Sequence, residues 1–241
     1  LARLTTKGHN SRPAWSPDGR EVAYISARDS LSGLYRMNAD GGGMERSIGR
    51  WGIAGGFTDF SWSPDGARVA FDQRTINESS RDIWTVSAEP DSVARVLVET
   101  PADEVNPVYS PDGSWIAYAS DESGRREIQV RASSGRGGRF IVSTDGGDGP
   151  QWSGTGNELF YIGADGWLWA ATLEFEPAAA RVVGRERLFE TDPYDLFTAT
   201  SYGVHPSGRE FVFVRSEGRE PAIEVVLNWA NELRQRVGPA R

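Results

Sequence analysis

Short runs in which apolar and polar residues alternate recur along most of the chain, and the clearest of them each follow the same five-residue segment. Val22 and Tyr24 come after Trp15-Ser16-Pro17-Asp18-Gly19, Val69 and Phe71 after Trp62-Ser63-Pro64-Asp65-Gly66, and Ile116 and Tyr118 after Tyr109-Ser110-Pro111-Asp112-Gly113. A period of two is that of a strand with one face buried and one wet. The segment itself has the chemistry of a chain reversal. Proline pre-sets φ at the second turn position, Asp suits the third, and Gly supplies the positive φ that closes the hairpin.

Ser16, Ser63 and Ser110 stand 47 residues apart. Two looser copies follow, Trp152-Ser153-Gly154-Thr155-Gly156 and Val204-His205-Pro206-Ser207-Gly208, which makes the successive spacings 47, 47, 43 and 52 residues. A strand-rich repeat of about 40 to 50 residues is the signature of a propeller with about four strands per blade. The expected fold is therefore all-β: a five-bladed β-propeller of four-stranded antiparallel blades, filling residues 1–241 as a single domain. Its blades fall at about 7–50, 51–100, 101–145, 146–191 and 192–227.

The fifth repeat shows no fourth strand, and residues 1–6, which alternate on their own, are expected to supply it. Closing the ring in this way removes two exposed sheet edges. After Leu227 the period changes: Asn228 can cap a helix, and Trp229, Leu233 and Val237 make one apolar stripe, so a short helix is expected over 228–237. Residues 174–180 read as a surface connection. Trp15, Trp62, Tyr109 and Trp152, at equivalent places before the turns, are expected to form core between blades.

Charge narrows the function. A formal net charge of −8 argues against nucleic acid or an anionic membrane as the main partner. The chain has no Cys, which excludes disulfides and thiolate metal sites. No apolar run approaches the ~20 residues of a membrane helix. The opening residues already read as a strand, which points to a chain excised from a longer one, with any targeting or membrane segment upstream.

Chemistry-bearing patterns are few. His9 and His205 are the two histidines, so a three-His metal site is excluded, and His205 stands at the Ser position of the fifth turn. There is no Gly-x-Ser-x-Gly, and the Gly-rich pieces 135–138 and 145–149 lack the Lys-Ser/Thr of a phosphate loop. Asp18, Asp65 and Asp112 could be imagined as a carboxylate ring for Ca²⁺, but each serves its own turn, and the structural role is expected. No catalytic residue, metal or cofactor is expected.

The surface that could carry function is the funnel where inner strands begin. Counting back four from the turn Ser position gives Arg12, Asp59, Asn106, Gly149 and Ser201, one per blade, with Asn10, Glu104, Asp148 and Tyr202 nearby. The expected site is Arg12, Asp59, Asn106, Asp148, Ser201 and Tyr202, which suits a small polar ligand or a partner's loop. A water-filled channel with no ligand is the bland alternative.

The repeated Pro-x-Trp-Ser-Pro-Asp-Gly-x-x-Val-Ala-Tyr pattern, followed by residues 34–42, resembles the TolB-type, WD-like propeller repeat. Three copies match closely over about residues 1–145, and two match loosely. The ending Val225-Val226-Leu227-Asn228-Trp229, then Glu232-Leu233, is similar to the C-terminal ends of propeller-bearing bacterial serine/threonine protein kinases and related sensor proteins. The resemblance implies a non-catalytic propeller for protein or ligand contact, often outside the cytoplasmic membrane; the expected module is a monomeric domain of an envelope or kinase-linked receptor, periplasmic or otherwise extracytoplasmic, with the cytoplasm as the alternative compartment. The N-terminal α/β domain of TolB itself has no counterpart in this sequence. The alternative is an accessory propeller of an oligopeptidase or polysaccharide-degrading enzyme whose catalytic part lies outside these residues.

Overall fold

The computed structural model describes residues 4–5, 7–28, 31–53, 56–74, 80–90, 92–176, 179–191, 202–217 and 220–226. Among these the regular structure is entirely β. Strands β1 (His9–Trp15), β2 (Glu21–Arg28), β3 (Leu31–Asn38) and β4 (Arg46–Ile53) form the first sheet, and β5 (Phe57–Trp62), β6 (Arg68–Arg74), β7 (Arg81–Ser87) and β8 (Arg95–Val98) the second. The third holds β9 (Glu104–Tyr109), β10 (Trp115–Ser120), β11 (Glu127–Ala132) and β12 (Arg139–Ile141), and the fourth β13 (Asp148–Trp152), β14 (Glu158–Ile162), β15 (Trp167–Glu176) and β16 (Ala179–Glu190). A three-stranded sheet, β17 (Tyr202–Val204), β18 (Phe211–Glu217) and β19 (Glu220–Val226), completes the described residues. Strand order within every sheet is chain order. The chain divides into two compact units, residues 1–109 with 120–122, and residues 110–119 with 123–241.

Each hairpin between a first and second strand is closed by the repeated segment. In the first copy the Gly19 N–H donates to Ser16 O at 2.9 Å with φ +70, and the Ser16 hydroxyl donates to Asp18 Oδ1 at 2.6 Å while accepting the Glu21 N–H at 2.9 Å. The Ser63–Asp65 and Ser110–Asp112 copies repeat these bonds. Serine is needed there because one hydroxyl must give and take at once. The looser copies fold alike: Gly156 N–H reaches Ser153 O at 3.0 Å, and Gly208 N–H reaches His205 O at 2.8 Å. In the fifth, His205 Nδ1 lies 2.9 Å from Ser207 Oγ and accepts the Ser207 N–H at 3.2 Å, the turn role expected of it.

Packing follows the alternation. In the first unit Ala23, Ile25, Leu34 and Ile48 of the first sheet meet Phe57, Phe60, Val69, Phe71 and Val86 of the second. In the second unit Phe160, Leu168, Ala170 and Leu188 meet Tyr202, Phe211 and Phe213, with the Phe160 and Phe211 rings edge-on at 5.0 Å. Full burial of each large apolar side chain contributes about 1.5–3 kcal/mol.

Some expectations need correction. Tyr109 and Trp152 are buried and Trp62 is half-buried, but Trp15 is 63 % exposed, because no sheet of its unit precedes the first sheet to cover that face. Residues 174–176 and 179–180 are not a loose connection. Glu176 pairs with Ala179 and Phe175 with Ala180, extending the β15–β16 hairpin, and the Phe175 ring lies 5.0 Å from Trp115 and 6.1 Å from Trp152. Leu4 and Thr5 carry no strand, and Leu4 packs on Tyr24, Tyr35 and Met37 of the first sheet. Residues 1–3 and 6 and the expected helix at 228–237 lie outside the described residues.

Candidate functional site

The positions counted back from the turns mark a kink in the inner strands. Pairing of β1 with β2 slips between Ser11 and Ala14, that of β5 with β6 between Phe57 and Phe60, and that of β13 with β14 between Asp148 and Gln151. Arg12 and Gly149 take positive φ at the slips of β1 and β13, at 54° and 62°, and Asn106 on β9 does so at 57°. Such bulges insert an extra residue, bend the strand and re-aim what it carries. An Arg and an Asn in this conformation are held by their surroundings at a cost of order 1 kcal/mol or more each.

For Asn106 the surroundings are a carboxylate. Asp72, on β6 and fully buried, accepts the backbone N–H of Thr58 at 2.7 Å and of Asp59 at 3.2 Å on Oδ1. Its Oδ2 accepts the Thr58 hydroxyl at 2.7 Å and the Asn106 N–H at 3.1 Å. One side chain thus ties the β5 bulge to the positive-φ backbone of Asn106 on β9. Burial pushes the Asp72 carboxyl up from its ordinary value, against the bonds from Thr58, Asn106 and Asp59 that favour its charge. Glu104, also fully buried, accepts the Thr100 hydroxyl at 2.6 Å and the Ser120 hydroxyl at 3.1 Å, and burial, with Asp82 and Glu122 nearby, pushes it up as well.

In the second unit Asp148 Oδ2 takes Arg126 Nη1 at 2.6 Å, and its Oδ1 accepts the Gly149 N–H at 2.8 Å. The Tyr202 hydroxyl donates to Gly149 O at 2.7 Å, and its ring stacks on Phe213 at 5.3 Å. Burial raises the Tyr202 hydroxyl well above its ordinary value, so it stays a donor at any physiological pH.

Of the six expected site residues, Asp59 and Asn106 are brought together through Asp72, and Asp148 and Tyr202 through Gly149. Arg12 occupies the β1 bulge of the first unit, and Ser201 lies outside the described residues. Asp72 itself is the residue the site pattern missed. The signal was present: the residue after Phe71 is Asp where the other repeats place Ile25, Ala119 and Ile162. Asp18 and Asp65 are held below the usual carboxylate range first by their turn serines, as their structural role demands. Among the described residues no three acidic or His side chains group as metal ligands.

This all-β arrangement of bulged inner strands and Ser-Pro-Asp-Gly hairpins has close counterparts. TolB from Acinetobacter baumannii superposes on 92 % of this chain and 53 % of its own with a TM-score of 0.68 and 17 % identity. The fold is TolB-like. By sequence, Tol-Pal system protein TolB of Anaeromyxobacter dehalogenans (strain 2CP-C) is 38 % identical over 98 residues, 40 % of this chain and 21 % of that protein. An uncharacterized protein of Agrobacterium fabrum (strain C58) is 30 % identical over 173 residues. That alignment spans 66 % of this chain and 57 % of the Agrobacterium protein. No family model matches the sequence. The TolB-like β-propeller fold is shared more widely: an oligogalacturonate lyase from Vibrio parahaemolyticus superposes with a TM-score of 0.63 at 13 % identity, over 94 % of this chain and 65 % of its own.

Proposed function

We propose that the chain is a non-catalytic protein-interaction module whose contact surface is the start of the inner strands. The carrying observation is Asp72, which ties the β5 bulge at Asp59 to Asn106 of β9 and so holds a preformed backbone there. Two TolB proteins among its relatives, one by sequence and one by fold, support the interaction reading and an extracytoplasmic location; the module belongs, in this proposal, to an envelope or kinase-linked receptor. No helix among the described residues is long and apolar enough to cross a membrane.

In this proposal the five sheets act as five blades. The contact positions proposed are Arg12 and Asn106 in the first unit and Asp148 and Ser201 in the second; Asp59 and Tyr202 are buried and act as supports.

Immobilised chain, exposed to a bacterial envelope extract, is expected to retain a protein that Arg12→Glu/Asn106→Trp releases. Retention unchanged by that variant, or turnover of oligogalacturonate or peptide by the purified chain, contradicts the proposal. The alternative, an accessory propeller of a polysaccharide-degrading enzyme or oligopeptidase, has fold likeness in the lyase and no further support.

A further inference from the structure

The first two turns of the first unit leave a cleft of about 350 Å³ between them, large enough for a side chain and a little of its backbone. Pro17 and Pro64 form walls, Trp62 lies half-buried in it, and Asp18, Glu21, Asp65 and Arg36 supply its charges. Arg36 is already taken: its Nη1 sits 3.1 Å from Glu21 Oε2, and Glu21 also meets Arg46. The two turn aspartates differ from Glu21. Each uses Oδ1 for both turn bonds, Asp18 to Ser16 Oγ at 2.6 Å and Arg20 N at 3.1 Å, Asp65 to Ser63 Oγ at 2.6 Å and Ala67 N at 3.0 Å. Their Oδ2 atoms are left for something else, apart from Arg20 Nε 3.9 Å from that of Asp18. The Trp62 indole nitrogen is buried without a hydrogen-bond partner. In the second unit the fourth and fifth turns are joined directly, the Gly154 N–H donating to Pro206 O at 3.0 Å.

A cleft lined by an indole and two exposed carboxylates attracts a cation. A basic side chain in a peptide supplies one.

We infer that this cleft binds an arginine or lysine side chain of a protein partner, laid over Trp62 between Asp18 and Asp65. The inference rests on the protein-interaction reading and adds a second contact point with its own specificity. The net charge of −8 would speed encounter with such a partner.

The test titrates the ¹⁵N-labelled chain with the capped tripeptides Gly-Arg-Gly and Gly-Lys-Gly, and with Gly-Glu-Gly and Gly-norleucine-Gly, at fixed ionic strength. The basic peptides are expected to shift the Trp62 indole resonance and the amides of residues 18–20 and 65–67, less so at high salt. Asp65→Asn, which keeps an Oδ1 acceptor for its turn, should weaken that binding roughly five- to tenfold. Asp112→Asn carries the same turn change away from the cleft and should leave it unaltered. The inference is overturned by absent shifts, by equal shifts with the Glu or norleucine peptides, or by Asp65→Asn behaving like Asp112→Asn. A captured protein partner that survives Asp65→Asn leaves the module reading intact and removes the cleft from it. Basic-peptide binding without any captured protein does the reverse.

Discussion

Asn106 gives its backbone N–H to Asp72 Oδ2 at 3.1 Å across 34 residues of chain, and the same carboxylate holds the amides of Thr58 and Asp59. A buried anion without a cationic partner in these bonds is expensive, and what keeps it is the set of four donors it satisfies. Asp72→Asn substitutes an amide for one of the two acceptor oxygens and leaves buried donors unmatched. Stability at neutral pH should fall by about 1–3 kcal/mol. The pH dependence has a definite sign. Because the folded carboxyl is raised above its ordinary 3.8, the folded state binds the proton more tightly, so this contribution is fully present below that value and is lost as pH rises through the folded one. Denaturant titrations across a pH series should show that decline in the parent and not in Asp72→Asn. An identical slope in both removes Asp72 from the account.

Glu45 behaves oppositely. It accepts Arg28 Nη1 at 2.6 Å and Nη2 at 2.7 Å, together with the Tyr24 hydroxyl, and the Arg28 bonds are the main reason its carboxyl is lowered. Arg28 also lies 4.0 Å over the Tyr35 ring. Stability from Glu45 is present above its ordinary 4.5 and fades as pH falls through the lowered value. Glu45→Gln should cost about 1–2 kcal/mol near neutrality and flatten the acid limb of thermal melts. Melts that superpose at every pH contradict this.

Gly154 has no room for a side chain. A Cβ there would sit 2.2 Å from Pro206 O, on the backbone that its own N–H bonds. Gly154→Ala should destabilise by more than about 2 kcal/mol. Gly203→Ala, where nothing lies within 4 Å of the new carbon, should be neutral or mildly stabilising. Equal effects in urea unfolding would mean that the fourth and fifth turns are not tied as described.

Phe175 between Trp115 and Trp152 accounts for the length of the β15–β16 hairpin. Phe175→Ala should cost about 2 kcal/mol and shift Trp emission to the red as those rings gain water. A stable variant with unshifted emission would make the hairpin extension independent of that contact.

What was legible in the sequence was whatever local chemistry decides. Ser16, Pro17, Asp18 and Gly19 close a turn by bonds among themselves, so three strict copies and two loose ones located every first hairpin. Contacts distant in sequence left weaker marks. Phe175 belongs to a strand because of rings far from it in sequence, and period alone could not extend the hairpin through 174–180. Asp72 is decisive only because β9 brings Asn106 beside β5, although an Asp at an otherwise apolar repeat position was a readable sign. Trp15 has the sequence context of Trp62, yet its exposure is set by what stands next to its sheet.

The most direct test of the protein-interaction reading is site-specific photo-crosslinking in cells. A photoreactive residue is placed singly at Arg12, at Asn106 and at Val93, which is 82 % exposed on the connection before β8. The account predicts a discrete protein adduct from positions 12 and 106 and none from 93. An adduct from 93 alone, or no adduct from 12 and 106 under conditions where the chain is folded and abundant, contradicts it.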